Sequence, residues 1–390
     1  MRILMIGAYP LAPGVVNGGV EAATSALVHA LADRDDVESV TVLRFHHGDA
    51  PVAHRREHEK VEVFYVSGQR RLRTLTRSFL DVRRARRLIA QLKPDVVHGQ
   101  EIAWNGEVAV RCTRDCVVTV HGMVHVEARI AANPTLRSRV RVRMIESMVR
   151  RILRRAKVVI SISQYDADEL GNYVKGRRVS IANPVDPQFF TPQEDLSTPP
   201  RLLFAGVVRP LKNLVGLIDA FAKAHAELPD SRLSIFGPQP DADYAQRVRD
   251  HVVNLGLSEA VDVAGPIDTA QLRRELSDCR AVVLFSHQEV APTIIAQAMA
   301  AGKPVLANRV GGVAEMVRDG ESGFLVDSTD ESRLADRMVE LLRDQELCIQ
   351  MGRRGHEIAL STYAPEVIAG QTVEAYRELR RVSRMERRSS

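Results

Sequence analysis

The sequence has few cysteines, few aromatic residues and no long apolar run. Its 4 cysteines form no Cys-x-x-Cys pair and lie near no histidine cluster, which favours free thiols in a reducing compartment. No apolar segment approaches the ~18 residues of a membrane span. The apolar part of the opening MRILMIG is too short for a signal peptide, and it predicts a first strand instead. We therefore expect a cytoplasmic protein.

The length and composition indicate two soluble domains. A chain of 390 residues exceeds the ~250–300 at which single cores stop growing. A hydrophobic content of 45% and a charged content of 26% are typical of soluble globular proteins. Residues 1–185 carry 30 basic and 19 acidic side chains, a net charge of +11, whereas residues 186–390 carry 24 and 30, a net charge of −6. A basic first half indicates that one domain faces an anionic partner.

Apolar strands alternate with helix-length segments through both halves of the chain. This rhythm predicts parallel sheets built from βαβ units, hence an α/β fold with two Rossmann-like, doubly wound domains. The predicted strands are Ile3–Gly7, Ser39–Phe45, Val61–Val66, Asp95–His98, Val117–Val120, Val158–Ser161, Val179–Ile181, Arg201–Ala205, Ser231–Phe236, Val261–Ala264, Ala281–Phe285, Pro304–Ala307 and Gly323–Val326.

A proline-rich segment separates the two halves. Five prolines fall between Pro184 and Pro200, a composition typical of a linker. We therefore predict a first domain over residues 1–183, a linker over 184–200 and a second domain over 201–362. Residues 363–390 complete the chain with a helix that begins near Pro365 and a basic tail.

The most specific pattern lies between Phe285 and Glu315. A buried strand runs into a polar turn with Glu289, a helix follows, and a second strand leads to a Gly311-Gly312 turn before another helix. The loops of such a βαβα unit lie at the carboxyl ends of parallel strands, where open α/β sheets bind ligands. A carboxylate for hydroxyl groups beside bare backbone N–H groups for phosphate suits a sugar nucleotide.

At these residues the chain resembles the family 4 retaining glycosyltransferases, enzymes with the GT-B fold of two Rossmann-like domains facing across a cleft. Their donor motif reads E-G-x-x-x-x-x-x-E-A-M-A-x-G-x-P-V, followed by G-G-x-x-E. Glu289 takes the place of the first acid, while Val290 replaces a glycine and Gln297 replaces the second glutamate. The positions that match after Glu289 are Ala298, Met299, Ala300, Gly302, Pro304, Val305, Gly311, Gly312 and Glu315.

The resemblance implies roles for the two domains and for the motif. The first domain would bind the acceptor and the second the nucleotide sugar, with the last helix crossing back to the first domain. In this family the first acid touches the transferred sugar, so Glu289 is expected to accept hydrogen bonds from its hydroxyls; a helix-dipole or capping role is the structural alternative. The donor site implied in this segment comprises Glu289, Ala291, Pro292, Thr293, Gln297 and Gly312.

Gln297 departs from the family where the motif's second glutamate binds the ribose. A neutral amide is a weaker acceptor than a carboxylate by ~1 kcal/mol. We therefore predict ribose binding that is retained but weakened, or a shifted nucleotide preference. The alternative is that Gln297 is a bystander on its helix.

A basic loop follows the first strand of the second domain. In the family a Gly-Arg pair and a later lysine neutralise the diphosphate leaving group. Here Val207 follows Gly206, Lys212 matches the lysine, and Arg209 is expected to reach the same phosphates. A departing diphosphate sheds negative charge onto nearby cations, which gives the two side chains a chemical purpose. A plain basic turn before a helix is the alternative.

A glycine-rich loop follows the first strand of the first domain. Gly18 and Gly19, with Glu21, match the family's G-G-x-E loop, whose glycines let the backbone approach the diphosphate or the acceptor. Glu21 also suits a helix-dipole role. The turn after the first strand lacks GxGxxG, which speaks against a dehydrogenase.

Polar residues also end two further predicted strands of the first domain. By the resemblance, His121 contacts the donor sugar, although a lone histidine is often structural. The neighbouring strand ends in residues that we expect to line an acceptor pocket, namely His98, Gln100 and Glu101.

No required metal or cofactor is predicted besides the nucleotide-diphosphate sugar, which is a co-substrate. An Asp-x-Asp triplet holds the metal in the other large transferase fold. Three such triplets begin at Asp33, Asp166 and Asp241, and their scatter indicates chance.

Residues 136–155 predict a basic amphipathic helix. The segment has one apolar face, eight arginines and a single acid, Glu146. Residues 70–87 contain eight more arginines. We expect these segments to contact an anionic membrane surface or a lipid-phosphate acceptor, so that the protein would be peripheral at the inner membrane surface; a solvated basic face is the alternative. No nucleic-acid partner is expected.

The sequence thus predicts a glycosyltransferase that moves a sugar from a UDP- or GDP-sugar to a glycan, lipid-linked or small-molecule acceptor with retention of configuration. The predicted catalytic residues are Glu289, His121, Arg209 and Lys212. The resemblance implies a same-face attack assisted by the leaving phosphate. Two alternatives stay open: another GT-B enzyme, such as a sugar-nucleotide epimerase or a phosphorylase, and a binding protein without turnover.

Overall fold

The computed structural model describes residues 1–12, 15–48, 53–68, 76, 78–130, 135–192 and 200–389. Contacts divide the chain into two units. The first unit comprises residues 1–12, 23–183 and 365–390, and the second comprises residues 13–22 and 184–364. The short segment 13–22 thus groups with the second unit, which the sequence did not indicate.

The strands and helices alternate along the chain. The strands are β1 (Arg2–Ile6), β2 (Ser39–His46), β3 (His54–His58), β4 (Val61–Ser67), β5 (Val96–Gly99), β6 (Cys116–Val120), β7 (Val158–Ser161), β8 (Arg177–Ser180), β9 (Arg201–Ala205), β10 (Arg232–Phe236), β11 (Val261–Val263), β12 (Ala281–Leu284), β13 (Val305–Asn308) and β14 (Gly323–Val326). The helices are α1 (Gly19–Ala32), α2 (Phe79–Leu92), α3 (Trp104–Cys112), α4 (Val124–Ile130), α5 (Leu136–Arg155), α6 (Gln164–Leu170), α7 (Leu214–Glu227), α8 (Ala242–Asn254), α9 (Thr269–Asp278), α10 (Thr293–Ala300), α11 (Val313–Met316), α12 (Glu331–Arg343), α13 (Gln345–Thr362) and α14 (Pro365–Ser389).

The first unit is built on a sheet whose described strands follow the order β3-β4-β2-β1-β5-β6-β7-β8. All neighbours are parallel except β3 and β4, which are antiparallel. The predicted strands are present, but β3 was not predicted. Its sequence, HRREH, is polar throughout and contains two arginines and a glutamate, and it lies at the sheet edge with alternate side chains exposed. Charges are common on edge strands because they discourage pairing with other chains.

The second unit is built on a parallel sheet with the described order β11-β10-β9-β12-β13-β14. Counted from the first strand of the unit, this is the order 3-2-1-4-5-6 of doubly wound nucleotide-binding folds. The order reverses between β9 and β12, which are neighbours. A crevice therefore opens where the loops after β9 and β12 diverge, and ligands bind at such points.

Each unit has its own apolar core. In the second unit, Phe204 of β9 and Phe221 of α7 are fully buried in one cluster with residues of α8 and α12. In the first unit, Ile3 and Met5 of β1 share a core with Tyr376 of α14. The C-terminal helix is thus an integral part of the first unit.

Gly302 and Gly352 permit a close approach within the second unit. Gly302 follows α10 with a φ of +70°, a left-handed conformation that favours glycine. A Cβ added to Gly352 of α13 would lie 1.9 Å from the carbonyl oxygen of Gly302. The motif glycine at 302 therefore ends α10 and lets α13 pack directly against it.

Candidate functional site

The loops that follow β9 and β12 bring together an acid and a base at the point where the second sheet reverses its strand order. Lys212 lies in a 3-10 turn, Pro210–Lys212, and Glu289 lies in the loop between β12 and α10. The Lys212 Nζ is 2.5 Å from the Glu289 Oε1. The side chains are only 13% and 8% exposed, so the ion pair is largely removed from water. The predicted sugar-binding acid and phosphate-binding lysine are thus direct neighbours.

Ser286 and Asn308 hold the Glu289 loop in place. The Ser286 hydroxyl donates to Glu289 Oε1 at 2.7 Å. Asn308, at the end of β13, donates through Nδ2 to the Ser286 carbonyl oxygen at 2.7 Å. Both residues are buried. The sequence analysis did not select these two residues. Each lies at the carboxyl end of a predicted strand, and that position could have marked it as a candidate site residue.

The glycine turn after β13 also reaches this loop. Gly311 has a φ of +52°, and Gly312 precedes α11. The Gly312 N–H donates to the Glu289 carbonyl oxygen at 3.4 Å. Loops after β9, β12 and β13 thus converge on Glu289. Its carboxylate is not the cap of α10, because Pro292 occupies that position.

Helix α10 carries the remaining residues predicted in the donor motif. Thr293 begins the helix, Ala291 and Pro292 precede it, and all three are half-buried. Gln297 is buried on α10, and none of the described residues forms a hydrogen bond with its side chain. Val290 is also buried, and it is absent from the described residues with positive φ, so the site accepts a side chain where the family has glycine.

Arg209 lies in the same basic loop as Lys212. It precedes the 3-10 turn in an extended conformation, and its carbonyl oxygen accepts from the Lys212 N–H at 2.9 Å. Its side chain is half-buried. The structure therefore places both predicted cations of this loop on one short turn, while their contact with phosphate stays a prediction.

In the first unit, Gln100 links two histidines at the ends of β5 and β6. The His121 Nε2 lies 2.7 Å from the Gln100 Oε1, and this amide oxygen can only accept, so Nε2 carries the proton. The Gln100 Nε2 lies 3.3 and 3.4 Å from the two ring nitrogens of His98, which places it over the ring. Burial lowers the pKa of His121 to about 4, so the imidazole is neutral at physiological pH.

His98 lies inside the first unit. Its Nδ1 is 2.8 Å from the Tyr376 hydroxyl, and its Nε2 is 2.7 Å from the Thr119 hydroxyl. Burial lowers its pKa to about 3. The ring has no exposed surface, so His98 joins β5, β6 and α14 rather than presenting an atom to solvent. Glu101 accepts from the Asn105 N–H at 3.1 Å at the start of α3. The acceptor roles proposed for these residues stay predictions.

The glycine loop of the first predicted domain lies at the start of α1. Gly19 begins the helix, and Gly18 directly precedes it. The Glu21 carboxylate accepts from the Asn17 N–H at 3.0 Å and stabilises the loop locally. A Cβ on Gly18 would meet nothing within 4 Å, so its surroundings are open.

Two of the Asp-x-Asp triplets serve as helix caps. Asp166 accepts from the Ile162 and Ser163 N–H groups at 2.9 Å and completes a capping box at α6. Asp241 accepts from the Tyr244 N–H at the start of α8. Across the described part of the chain, no group of three or more His, Cys, Asp or Glu side chains is placed to hold a metal ion.

Helix α5 is buried only in its C-terminal half. Met148, Val149, Ile152 and Leu153 are buried, whereas Leu136 is 79% exposed. Val140 and, at the end of α4, Ile130 are also exposed. Among the described residues, no helix is both long and apolar enough to cross a membrane. Residues 70–75 and 77, which include four of the arginines in the predicted basic segment 70–87, lie outside the described ranges.

Two family models match the chain. The model described as Glycosyl transferases group 1 matches residues 187–358, and the model described as Glycosyltransferase Family 4 matches residues 17–189. The matches span between about a fifth and about half of the length of the curated relatives, from 21% to 54%. One of these, N-acetyl-alpha-D-glucosaminyl L-malate synthase from Bacillus anthracis, is 30% identical over 173 residues, which cover 44% of this chain and 44% of that protein.

Solved structures share the fold over nearly the whole chain. Sucrose-phosphate synthase from Thermosynechococcus elongatus has a TM-score of 0.83 at 22% identity, covering 97% of this chain and 99% of that one. Anabaena Alr3699/HepE in complex with UDP-glucose has a TM-score of 0.73 at 20% identity, covering 97% of this chain and 100% of that one. These likenesses confirm the predicted α/β fold class with two Rossmann-like domains.

Proposed function

The chain belongs to the family 4 glycosyltransferases of GT-B fold. From this membership we propose that it transfers a sugar from a nucleotide-diphosphate sugar to an acceptor hydroxyl with retention of configuration. The observation that carries the proposal is the Lys212–Glu289 ion pair at the reversal point of the second sheet. Nucleotides bind at such points in doubly wound folds.

The two partners of the ion pair suit the two halves of a donor. The Lys212 ammonium and the Arg209 guanidinium would neutralise the diphosphate as it leaves, which is the largest charge change of the reaction. The Glu289 carboxylate would accept hydrogen bonds from sugar hydroxyls, with Ser286 fixing one of its oxygens. No side chain is assigned as a nucleophile; the leaving phosphate would take the acceptor proton on the same face.

The donor proposed is a UDP- or GDP-sugar. A protein of the same fold in complex with UDP-glucose supports this choice. The acceptor proposed is a glycan, a lipid-linked sugar or a small molecule bound by the first unit, where the net charge of +11 over residues 1–185 favours an anionic compound. The name of the malate-glucosaminylating relative is consistent with a small anionic acceptor.

Calorimetry with UDP-, GDP- and ADP-sugars, on the full chain and on Glu289→Ala, tests the donor site. We expect one nucleotide to bind, with the sugar-dependent part of the affinity lost in the variant. Glu259→Ala, which removes an exposed carboxylate of the same unit, is the control and should bind normally. If none of the nucleotides binds, the transferase proposal fails.

Turnover separates a transferase from a binding protein or an epimerase. Incubation with the bound donor, with and without candidate acceptors, should give free nucleotide diphosphate, and proton NMR of the product should show the donor's anomeric configuration. Interconversion of the sugar without release of nucleotide would indicate an epimerase, and binding without any reaction would indicate a binding protein. Equal rates in excess EDTA are expected, because the two cations replace a metal.

Contact with an anionic membrane is a further part of this proposal. Leu136 and Val140 are exposed apolar residues among the arginines of α5, and Ile130 is exposed at the end of α4. Apolar side chains set among arginines suit the headgroup boundary of an anionic bilayer. Co-sedimentation should therefore occur with liposomes that contain anionic lipid, and Leu136→Asp should weaken it. Sedimentation that does not depend on anionic lipid would remove this part of the proposal.

A further inference from the structure

A cavity lies at the amino-terminal edge of the second sheet, opposite the carboxyl-terminal edge that carries Glu289. It has a volume of about 340 Å³. Arg280, which directly precedes β12, and Lys303, two residues before β13, line it together with Ala301 at the end of α10. Ile349 and His356 of α13 complete the wall. Four residues of strand at ~3.3 Å each separate the two edges by roughly 13 Å.

Two poorly exposed cations share this cavity without a carboxylate partner. Arg280 is half-buried, its Nη1 is fully enclosed, and none of the described residues accepts a hydrogen bond from its guanidinium. Lys303 is 7% exposed; it donates to the Ser277 carbonyl oxygen at 2.7 Å and forms no ion pair within the described ranges. An ammonium has three donors, so Lys303 retains two.

The same sheet edge shows how an arginine is normally neutralised. Arg201, which begins β9, lies 2.7 Å from Glu275 and 3.7 Å from Asp278. The fold therefore supplies acids to this edge, yet places none within ion-pair distance of Arg280 among the described residues. The acid at the cavity rim, Glu357, is exposed and paired with Arg354 at 2.8 Å.

Two further side chains belong to this cavity. Cys348 lines it together with Arg280 and Lys303, and burial raises the pKa of its thiol to about 12. His356 bonds through Nδ1 to the Ala300 carbonyl oxygen at 2.7 Å, so Nδ1 carries a proton. Its Nε2 is then the ring nitrogen left to meet a ligand.

We propose that this cavity is an anion-binding site, separate from the donor site, which takes the phosphate or carboxylate group of a small molecule between Arg280 and Lys303. A bound anion would satisfy the guanidinium and ammonium donors that the described residues leave unpaired, and Arg280 suits bidentate recognition of either group. The apolar wall formed by Ala301, Pro304 and Ile349 would contact the remainder of the ligand.

Titration of the full chain with inorganic phosphate, monitored by methyl NMR of the isoleucines, tests the site in the wild-type protein. The experiment is run without nucleotide and again in saturating UDP, which would occupy the proposed donor site. We expect the Ile349 methyl signal to shift in a saturable manner, while Ile218 of α7, buried in the core away from the cavity, does not respond. No shift of Ile349, or a shift that UDP abolishes, would overturn the proposal.

A variant and its control complete the test. Arg280→Met keeps the aliphatic part of the side chain and should weaken phosphate binding at least tenfold, while UDP binding persists. Arg333→Met removes an exposed arginine of α12 and should bind phosphate as the wild type does. Equal phosphate affinity in all three proteins would mean that the cavity is not the site. Acetate in place of phosphate distinguishes a carboxylate ligand from a phosphate ligand.

Discussion

Gln297 occupies the place where the family has an acid, and its consequence can be measured directly. Gln297→Glu should tighten nucleotide binding by about fivefold, because a charged acceptor for the ribose is worth ~1 kcal/mol more than a neutral one. The unbound variant should be less stable by ~1–3 kcal/mol, since the residue is buried and the described residues give it no hydrogen bond. Calorimetry with the nucleotide and urea unfolding measure the two effects.

Gln297→Ala is the control for this prediction. It removes the amide without adding charge, so nucleotide affinity should fall modestly. If neither variant changes the affinity, Gln297 is a bystander on α10 and the nucleotide is held by other residues.

Two histidines of the first unit, His98 and His121, predict a loss of stability in mild acid. Burial lowers the pKa of His98 to about 3 and that of His121 to about 4, against 6.5 for an unfolded histidine. Both are neutral in either state above pH 6.5, so stability is then independent of their titration. As the pH falls from 6.5 towards these folded pKa values, only the unfolded chain takes up protons, and stability is lost.

The expected loss at pH 5 is about 2 kcal/mol for each histidine, from 1.36 kcal/mol per pKa unit. Urea unfolding between pH 7 and pH 5 measures it. His98→Asn should show a shallower pH dependence, whereas His54→Gln, at a side chain that is 47% exposed, should not. An unchanged slope in His98→Asn would show that His98 titrates normally in the folded protein.

Among the elements, the packing of α13 against the end of α10 predicts that replacing a helical glycine by alanine lowers stability. Helix propensity alone would predict the opposite change. Gly352→Ala should destabilise the protein by several kcal/mol, because the new Cβ would lie 1.9 Å from the Gly302 carbonyl oxygen. Alanine at an ordinary helix position instead stabilises by up to ~1 kcal/mol relative to glycine. Thermal unfolding of each variant measures the change.

Gly370 of α14 provides the matched control. A Cβ there would meet only the Arg34 Nη1, at 3.7 Å, which is an ordinary contact. Gly370→Ala should therefore raise the melting temperature while Gly352→Ala lowers it. Equal behaviour of the two variants would show that the helices can separate at little cost.

The elements were predictable where their sequence pattern is local. The strands of the second sheet are short apolar runs, and their parallel arrangement could be inferred from the βαβ rhythm, whereas their order in the sheet could not. Strand β3 was not predicted, because its sequence HRREH has no apolar residue. It owes its extended conformation to antiparallel hydrogen bonds with β4. The basic helix α5 was recognised from its periodicity, but periodicity gave no sign that only its C-terminal half is buried.

For the whole molecule, α14 should decide whether the first unit folds. Ile368, Val373, Tyr376 and Leu379 are buried in the core of that unit. Each contributes about 1.5–3 kcal/mol by burial, so the four rival the 5–15 kcal/mol that stabilises a typical domain. A chain ending at Ala364 should be cleaved rapidly by protease within residues 23–183, while residues 184–364 stay protected.

Tyr376→Phe in the full chain is a less disruptive control for this truncation. It removes the hydroxyl that lies 2.8 Å from the His98 Nδ1, at a cost of about 1 kcal/mol, and should leave both units resistant to protease. If the truncated chain resists cleavage as well, α14 is not required for the first unit to fold, and the core of that unit is complete without it.

Local patterns in the sequence were sufficient for the α/β class, for most of the strands and for the donor motif around Glu289. Alternation, composition and spacing depend only on residues that are close together in the sequence, so they can be recognised without the tertiary structure. The contacts that build the sites depend instead on which strands become neighbours in the sheets. Lys212 meets Glu289 across 77 residues, and His98 meets Tyr376 across 278. Burial of these groups, the lowered histidine pKa values and the unpartnered Arg280 arise only after the sheets assemble, because desolvation and packing depend on every element that surrounds a side chain.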